Sequence, residues 1–241
     1  MKLVLMGYGK MGREIERIAL ERGHEIVLKV NRENASSLTE KDLQIGDVII
    51  EFSTPHVVLE NMQKCLLSGV PTVVGTTGWH NELEKVTAAW NKAGTGLFYA
   101  SNFSIGVNLF FKVNQFLAKL MNNYPQYDVS MTEIHHIHKL DKPSGTAITL
   151  ANQVIAQLER KKKWSISEKN GETLYIQDVR EGEVPGTHTL HYTSTVDTIE
   201  ITHKAHNRSG FALGAVMAAE FMQGKTGVYT MDDLIGELSL D

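Results

Sequence analysis

Short apolar runs alternate with segments of helical periodicity over the first hundred residues of the chain. KLVLMG ends in glycine, and the following MGREIERIALER places Met11, Ile15 and Ile18 at helical spacing. EIVLKV, DVIIEFS, PTVVGTT and GLFYASNFS repeat the strand pattern, and helical segments such as VVLENMQKCLL and ELEKVTAAWNKA lie between them. Strands that alternate with helices predict right-handed crossovers and a parallel sheet, which is an α/β domain.

The pattern changes after residue 105. A helical segment, VNLFFKVNQFLAKLMNNY, leads into four stretches with strand-like alternation, YDVSMTEIHH, TLYIQDVRE, THTLHYTST and DTIEITHKA. One helix, SGTAITLANQVIAQLE, lies among them, and SGFALGAVMAAEFMQGKTGVYTMDDLIG reads as helical again. Alternation indicates a sheet with one solvated face. We therefore predict an α+β insert with a mixed sheet at residues 106–207, within a domain formed by 1–105 and 208–241.

Composition and charge narrow the class of protein. The 241 residues have a formal net charge of −4, which disfavours binding to a nucleic-acid backbone. No apolar run approaches the roughly 18 residues of a membrane span, and the four apolar residues after Lys2 are too few for a signal region. The single cysteine, Cys65, gives no reason to expect an oxidising compartment. We expect a cytoplasmic protein with Cys65 buried and the charge run RKKK at 160–163 on a solvated helix end.

A glycine-rich turn follows the first predicted strand. Its sequence is Gly7-Tyr8-Gly9-Lys10-Met11-Gly12. In a GxGxxG turn the first glycine permits the tight turn, the second lets the backbone approach a pyrophosphate and the third lets the helix pack on the strand. The position between strand and helix favours dinucleotide binding, that is, a Rossmann-like domain, over a plain glycine turn.

The end of the second strand bears on the choice of cofactor. An acidic residue is expected there to hold the ribose of NAD, but the strand ends with Asn31 and Arg32. Asn31 can hydrogen-bond a ribose and Arg32 can pair with the 2′-phosphate of NADP, so NADPH is favoured and NADH stays open. Two further segments follow predicted strands, Gly75-Thr76-Thr77 and Ala100-Ser101-Asn102-Phe103. Each is expected either to contact the cofactor or to be only a polar turn.

The stretch EIHHIHKLDKPSGT at 133–146 carries three histidines and a lysine within five positions. It fits a metal site, an acid–base centre, an anion site or a solvated strand end. Strand periodicity would place His135 and Lys139 on one side and His136 and His138 on the other. Pro143 disfavours a helix and hence the HExxH zinc geometry, so no metal is expected. The PSGT segment predicts a helix start capped by Ser144 or Thr146, which suits a carboxylate or phosphate.

These motifs together resemble the dihydrodipicolinate reductase family, also called 4-hydroxy-tetrahydrodipicolinate reductase. The resemblance covers nearly the whole chain and rests on these segments: GYGKMG, EFSTP, VVGTTGW, ASNFSIGVN, EIHHIHKLDKPSGTA, VREGEVPGTHT, ITHKAHNRSGFALGA and YTMDDLIG. It implies that His135 is a proton donor or acceptor and Lys139 a proton donor. It also implies that His136 contacts substrate and that Gly145 and Thr146 bind a substrate carboxylate, and it gives His138 no role.

The resemblance further implies a set of cofactor-binding positions: Gly7 to Gly12, Asn31, Arg32, Gly75 to Thr77, Ala100 to Phe103, and Arg208. The family reaction is the reduction of 4-hydroxy-tetrahydrodipicolinate by NADH or NADPH, with loss of water, on the diaminopimelate route to lysine. Family members are typically homotetramers joined through the substrate-domain sheets, and the substrate is a small dicarboxylate.

Two residues depart from the family pattern. Lys10 stands where arginine is common, and Asn31 replaces the usual acid. The segment around 160–172 is expected to be a loop that trims the substrate domain.

Two other functions remain as alternatives: another NAD(P)-dependent dehydrogenase of an aspartate-derived or sugar metabolite, and a redox-sensing nucleotide-binding regulator. The regulator would need a recognition helix or basic patch, and the sequence shows neither.

Overall fold

The computed structural model describes residues 1–236, which fall into two compact units. The first unit contains Met1–Asn108 together with the described residues from Ser209 onward, and the second contains Leu109–Arg208. No helix within residues 1–236 is both long enough and apolar enough to span a membrane.

The first unit is built on a six-stranded sheet with helices on both faces. Its strands are β1 (Lys2–Met6), β2 (Glu25–Val30), β3 (Val48–Glu51), β4 (Thr72–Val74), β5 (Gly96–Tyr99) and β11 (Gly227–Tyr229). Its helices are α1 (Lys10–Glu21), α2 (Glu40–Leu43), α3 (Val58–Ser68), α4 (Leu83–Ala93), α7 (Ser209–Met222) and α8 (Met231–Ile235). All strand pairs are parallel, in the order β11-β5-β4-β3-β1-β2.

Strand alternation explains why both faces of this sheet are covered. Leu3 and Leu5 of β1 lie in one apolar cluster with residues of α1 and α7. Val4 lies in a second cluster with residues of α3 and α4, among them Cys65. A strand whose successive side chains point to opposite faces needs a helix layer on each side. The predicted burial of Cys65 is confirmed.

The second unit is a mixed five-stranded sheet. Its strands are β6 (Asp128–His135), β7 (Lys163–Ser165), β8 (Thr173–Arg180), β9 (Thr187–Thr193) and β10 (Thr198–Lys204), in the order β10-β9-β6-β8-β7. The central strand β6 runs parallel to β8 and antiparallel to β9. Helices α5 (Ile105–Met121) and α6 (Gly145–Gln157) contribute to the apolar core with alternate residues of the strands. The predicted fold class, a parallel-sheet domain with a mixed-sheet insert, is confirmed.

Three local predictions were wrong. The carboxyl-terminal segment is not helical throughout, because β11 pairs with β5 as the edge strand of the parallel sheet. The segment 160–172 is not only a loop, since it contains β7. The charge run at 160–163 is not a solvated helix end. Helix α6 ends at Gln157, and the ammonium group of the fully buried Lys161 lies 2.7 Å from Asp128 Oδ1 and 3.0 Å from the carbonyl oxygen of Thr173. Because that charge has partners, it can be buried.

Candidate active site

The candidate site begins at the end of β6, the central strand of the second unit. Glu133 and His135 are buried on the core face of this strand. The strand ends at His135, and the chain then turns without forming a helix until Gly145. Ile137 is 59% exposed, so the strand alternation that was predicted to reach Lys139 stops before it. The reason is that the turn after His135, rather than the strand, sets the position of Lys139.

The other basic residues of the stretch at 133–146 lie in different environments. Lys139 Nζ lies 2.8 Å from Asp141 Oδ1, and its side chain is largely covered. His138 is exposed, with Nε2 3.3 Å from Oε1 of the equally exposed Glu183. His136 is half-buried, and its ring centroid lies 6.1 Å from that of His138. The structure therefore distinguishes a buried histidine, a half-buried histidine and an exposed one within four residues.

Ser144 caps helix α6. Its Oγ accepts a hydrogen bond from Ala147 N at 3.2 Å, so Ser144 rather than Thr146 is the cap. Gly145 and Thr146 form the first turn, where backbone N–H groups have no partner within the helix. Together with the partial positive charge of the helix N-terminus, these groups suit an anion such as a carboxylate.

Glu133 lies at the centre of a buried polar network. Its Oε1 accepts a hydrogen bond from Ser144 N at 2.9 Å, and its Oε2 accepts one from Ser144 Oγ. Three basic groups surround the same carboxylate: Arg180 Nη2 at 3.5 Å, His135 Nδ1 at 3.4 Å and His188 Nε2 at 3.6 Å. The carboxylate thus connects β6 to the start of α6 and to the two neighbouring strands.

Sequence reasoning gave Arg180 and His188 no role. Strand register brings them to the site. Arg180 on β8 is the register partner of His135 on β6, and His188 on β9 is the register partner of Glu133 on β6. Both lie in VREGEVPGTHT, which carried the family resemblance. The one signal in the sequence was their position at the ends of alternating strands. Arg180 also donates to the carbonyl oxygens of Asp141 at 2.7 Å and Lys139 at 3.3 Å, and so braces the turn.

The electrostatics of the network favour an ionised Glu133 beside a neutral His135. Burial lowers the pKa of His135 to about 4, and the nearby His188, Lys139 and Arg180 add to that effect while Glu133 opposes it. For Glu133, burial alone would raise the pKa. The adjoining His188 and Ser144 side chains outweigh burial and hold the pKa of Glu133 below its ordinary value.

Three residues of this network also carry groups of the kind that bind metal ions. Ligand atoms of Glu133, His135 and His188 all lie within 4.8 Å of one another, a donor set that zinc or iron accepts. The carboxylate already accepts two hydrogen bonds from Ser144 and lies beside the Arg180 guanidinium. A bound cation would have to compete with these donors and with a fixed positive charge. The arrangement therefore suits a hydrogen-bonded carboxylate, and the expectation of no metal stays a prediction.

The glycine-rich turn of the first unit fits a dinucleotide. Gly7 has φ 104°, and a Cβ there would lie 2.1 Å from Phe52 O. A Cβ at Gly12 would lie 2.4 Å from Gly7 O, whereas a Cβ at Gly9 would have no neighbour within 4 Å. Gly7 and Gly12 are therefore required by the turn, while Gly9 faces open space at the N-terminus of α1. This is the space that a pyrophosphate would need.

The residues after β2 are arranged differently from an acidic ribose site. Asn31 Oδ1 accepts hydrogen bonds from Glu33 N at 2.8 Å and from Asn34 N at 3.3 Å. A contact from Asn31 to a ribose hydroxyl would therefore use its Nδ2 group as a donor. Arg32 and Lys10 are both exposed.

The other predicted cofactor positions follow β4 and β5. Thr76 Oγ1 accepts a hydrogen bond from Ser53 N at 2.7 Å, and Phe103 is buried with its ring centroid 5.4 Å from that of Phe52. These two side chains are held within the unit, so any cofactor contact there would come from the backbone. Thr77 and Ser101 are exposed and Asn102 is half-buried. Arg208 is exposed immediately before α7.

Comparison with known proteins gives consistent matches along the chain. Residues 1–103 match the family model described as dihydrodipicolinate reductase, N-terminus, and residues 106–235 match the one for the C-terminus. A 4-hydroxy-tetrahydrodipicolinate reductase of Christiangramia forsetii is 46% identical over 99% of both chains. One from Neisseria meningitidis serogroup B is 35% identical, over 92% of this chain and 84% of the relative.

A solved structure shares the fold. It is a dipicolinate-bound dihydrodipicolinate reductase from Paenisporosarcina sp. TG-14, with a TM-score of 0.77 and 24% identity. The match covers 95% of this chain and 97% of that one.

Proposed function

This chain belongs to the dihydrodipicolinate reductase family, and from that premise we propose that the network around His135 and the start of α6 is its active site. The protein is an NAD(P)H-dependent oxidoreductase that reduces 4-hydroxy-tetrahydrodipicolinate to tetrahydrodipicolinate in lysine biosynthesis. The observation that carries this function is the 46% identity over 99% of the chain to a reductase of that name.

His135 and Lys139 handle protons in the proposed mechanism. His135 exchanges a proton as an acceptor or a donor, and its neutral form is available at neutral pH because burial lowers its pKa. Lys139 donates a proton from an ammonium group that is already held in place by Asp141. The reaction takes up a hydride and a proton and releases water, so a positioned proton donor is required.

The start of α6 binds one carboxylate of the substrate. Gly145 and Thr146 offer backbone N–H groups at a helix N-terminus, and Thr146 adds a hydroxyl. His136 follows β6 directly and is half-buried. In this proposal it contacts the substrate. A dianionic substrate suits a site in which the cations Lys139 and Arg180 are close to a neutral His135.

The turn from Gly7 to Gly12 holds the pyrophosphate of the cofactor, and Asn31 and Arg32 meet its adenosine ribose. When bound, the nicotinamide ring supplies the hydride. Arg32 follows the end of β2 and is exposed, so its guanidinium is free to pair with a 2′-phosphate in this proposal, which favours NADPH while NADH remains usable. The strand ends at Gly75 to Thr77 and Ala100 to Phe103, and Arg208, complete the proposed cofactor contacts.

We further propose a homotetramer in the cytoplasm, in which the open face of the mixed sheet is the subunit interface. This face is polar and internally bonded, with Thr132 Oγ1 3.1 Å from His191 Nε2 and Thr189 Oγ1 3.1 Å from Thr202 Oγ1. A recess of about 450 Å³ on it is lined by residues that include Ser130, Tyr175 and Gln177. Analytical ultracentrifugation tests the proposal, and a monomer at micromolar concentration would contradict it.

A coupled assay tests the function and the cofactor together. Aspartate semialdehyde and pyruvate are mixed with the synthase that condenses them, and oxidation of NADPH and of NADH is followed in separate reactions. We expect oxidation that depends on both substrates and on the synthase, and a reaction without pyruvate is the control. If neither NADPH nor NADH is oxidised, the proposed function is contradicted.

A further inference from the structure

We propose that Glu133 is a positioning residue for proton transfer: its carboxylate determines which ring nitrogen of His135 exchanges the proton, and it stabilises the charged form of that ring. The inference rests on the proposed role of His135 and gives a task to a buried carboxylate that this role leaves unexplained. In this scheme Glu133 acts through His135 and does not contact the substrate.

The carboxylate of Glu133 is fixed before any ligand binds. Glu133 is 0% exposed, and Ser144 donates to both of its oxygens, through N at 2.9 Å and through Oγ. Arg180 Nη2 lies 3.5 Å from Oε1. A buried carboxylate without such donors would be strongly destabilising, and with them it is ionised and held in one orientation.

The ring of His135 presents different surroundings to its two nitrogens. Nδ1 is buried, has no hydrogen-bond partner within residues 1–236, and lies 3.4 Å from Glu133 Oε2. Nε2 lies beside Gly186, where a Cβ atom would come within 3.0 Å of it. The missing side chain at position 186 therefore leaves room for Nε2, while the carboxylate faces Nδ1.

This arrangement selects one tautomer of the neutral ring. A carboxylate next to Nδ1 favours a proton on that nitrogen, so Nε2 keeps the lone pair. When the ring is protonated, the proton on Nε2 is the one available for transfer, and the Nδ1 proton remains directed at Glu133. The 3.4 Å separation is long for a hydrogen bond, as is common before substrate binds, and it shortens when the ring becomes charged.

The charges around the ring give Glu133 a second effect. His188 on β9, Arg180 on β8 and Lys139 in the turn all disfavour a positive charge on His135, and so does burial. Glu133 is the group that opposes them. Without its negative charge, His135 would become protonated only at still lower pH.

The test compares two substitutions of a carboxylate next to a histidine. Glu133→Gln keeps the shape of the side chain and removes its charge, and Glu183→Gln does the same beside the exposed His138. We expect Glu133→Gln to lower kcat by roughly a hundredfold or more with cofactor affinity unchanged, since orienting carboxylates have effects of that size. The His135 pKa read from the pH profile of kcat/KM should move to lower pH. Glu133→Asp, which keeps the charge, should recover part of kcat, and Glu183→Gln should behave as wild type.

Three results would overturn the proposal. The first is a Glu133→Gln enzyme with the turnover and pH profile of the Glu183→Gln control. The second is a reduced kcat with an unchanged His135 pKa, which would indicate a packing role. The third is stoichiometric Zn²⁺ binding that Glu133→Gln abolishes, which would indicate a metal ligand.

A measurement on the unsubstituted protein covers the case in which Glu133→Gln does not fold. Nitrogen-15 NMR of histidine-labelled protein reports the tautomer of each ring, and the His135 signal is assigned by its loss in His135→Gln. We expect the proton on Nδ1 at neutral pH, and a proton on Nε2 would overturn the proposal. If His135→Gln retains full turnover, the proposed proton role itself fails. If His135→Gln is inactive while Glu133→Gln is normal, only the positioning role fails.

Discussion

Ser144 holds Glu133 through both its backbone N–H, 2.9 Å from Oε1, and its hydroxyl, which bonds Oε2. The same hydroxyl caps helix α6 by accepting from Ala147 N. One serine therefore fixes the orientation of the buried carboxylate and the start of the helix that presents Gly145 and Thr146. The proposed proton site and the proposed carboxylate site are joined by this residue.

Loss of the Ser144 hydroxyl should cost stability. We expect Ser144→Ala to lower the free energy of unfolding by roughly 1–3 kcal/mol, because the helix loses its cap and the buried carboxylate loses a donor. Urea denaturation measures the change. The control is Thr149→Ala in the same helix, whose exposed hydroxyl donates to Gly145 O. Equal small losses in the two variants would contradict the double role of Ser144.

Removal of either proposed proton-transfer residue should reduce turnover and leave the cofactor bound. We expect His135→Ala and Lys139→Ala each to lower kcat by roughly a hundredfold or more, the usual contribution of a positioned acid or base. NAD(P)H affinity, measured by fluorescence titration, should stay within about twofold, because neither residue lies in the first unit. His138→Ala is the control, since His138 is exposed beside Glu183. Near-normal kcat in folded variants would exclude these roles.

The glycine at the start of α1 provides a test of cofactor binding that is separate from folding. Gly9→Ala adds a Cβ with no neighbour within 4 Å, so the melting temperature should fall only slightly, by the cost of alanine at the N-cap of α1. The same methyl group would occupy the approach of a pyrophosphate, and we expect NAD(P)H affinity to fall at least about tenfold. Gly171→Ala, where a Cβ also meets nothing within 4 Å, is the control. Unchanged affinity in Gly9→Ala would place the pyrophosphate elsewhere.

Arg32 should distinguish the two nicotinamide cofactors. We expect Arg32→Ala to weaken NADPH by about tenfold and NADH little, because only NADPH carries the 2′-phosphate with which a guanidinium can pair. Dissociation constants for both cofactors, measured at one salt concentration, give the comparison. Equal losses for the two would argue against a contact with the 2′-phosphate.

The depressed pKa of His135 should appear in the pH dependence of stability. In the folded protein this pKa is lowered from 6.5 to about 4, so the unfolded chain binds a proton in that interval that the folded chain does not. The contribution of His135 is therefore fully present above pH 6.5 and is lost as the pH falls toward 4. We expect His135→Gln to flatten the decline in unfolding free energy over this interval. Parallel curves for the two proteins would contradict a buried, neutral His135.

Local patterns in the sequence were enough for the fold class and for the parts of the site that are close in the chain. The turn at Gly7 to Gly12 and the cap before α6 each depend on a few consecutive residues. The network around Glu133 depends on strand register, since Arg180 and His188 reach it from β8 and β9. Lys161 was misplaced for a similar reason, because its partner Asp128 lies on β6, far from it in the chain.

Register in the mixed sheet has a consequence for tolerance to insertions. His188 faces Glu133 only while β9 keeps its present alignment with β6, and a slip of one residue would turn His188 to the opposite face. The loop at 181–186 can therefore change length only if both strands keep their alignment. A single inserted residue inside β9 would turn over one part of the strand, and with it either His188 or the fully buried Leu190 and Tyr192. The alignment of β9 therefore serves the apolar core and the polar network together, and an insertion inside this strand should lower stability and activity at once.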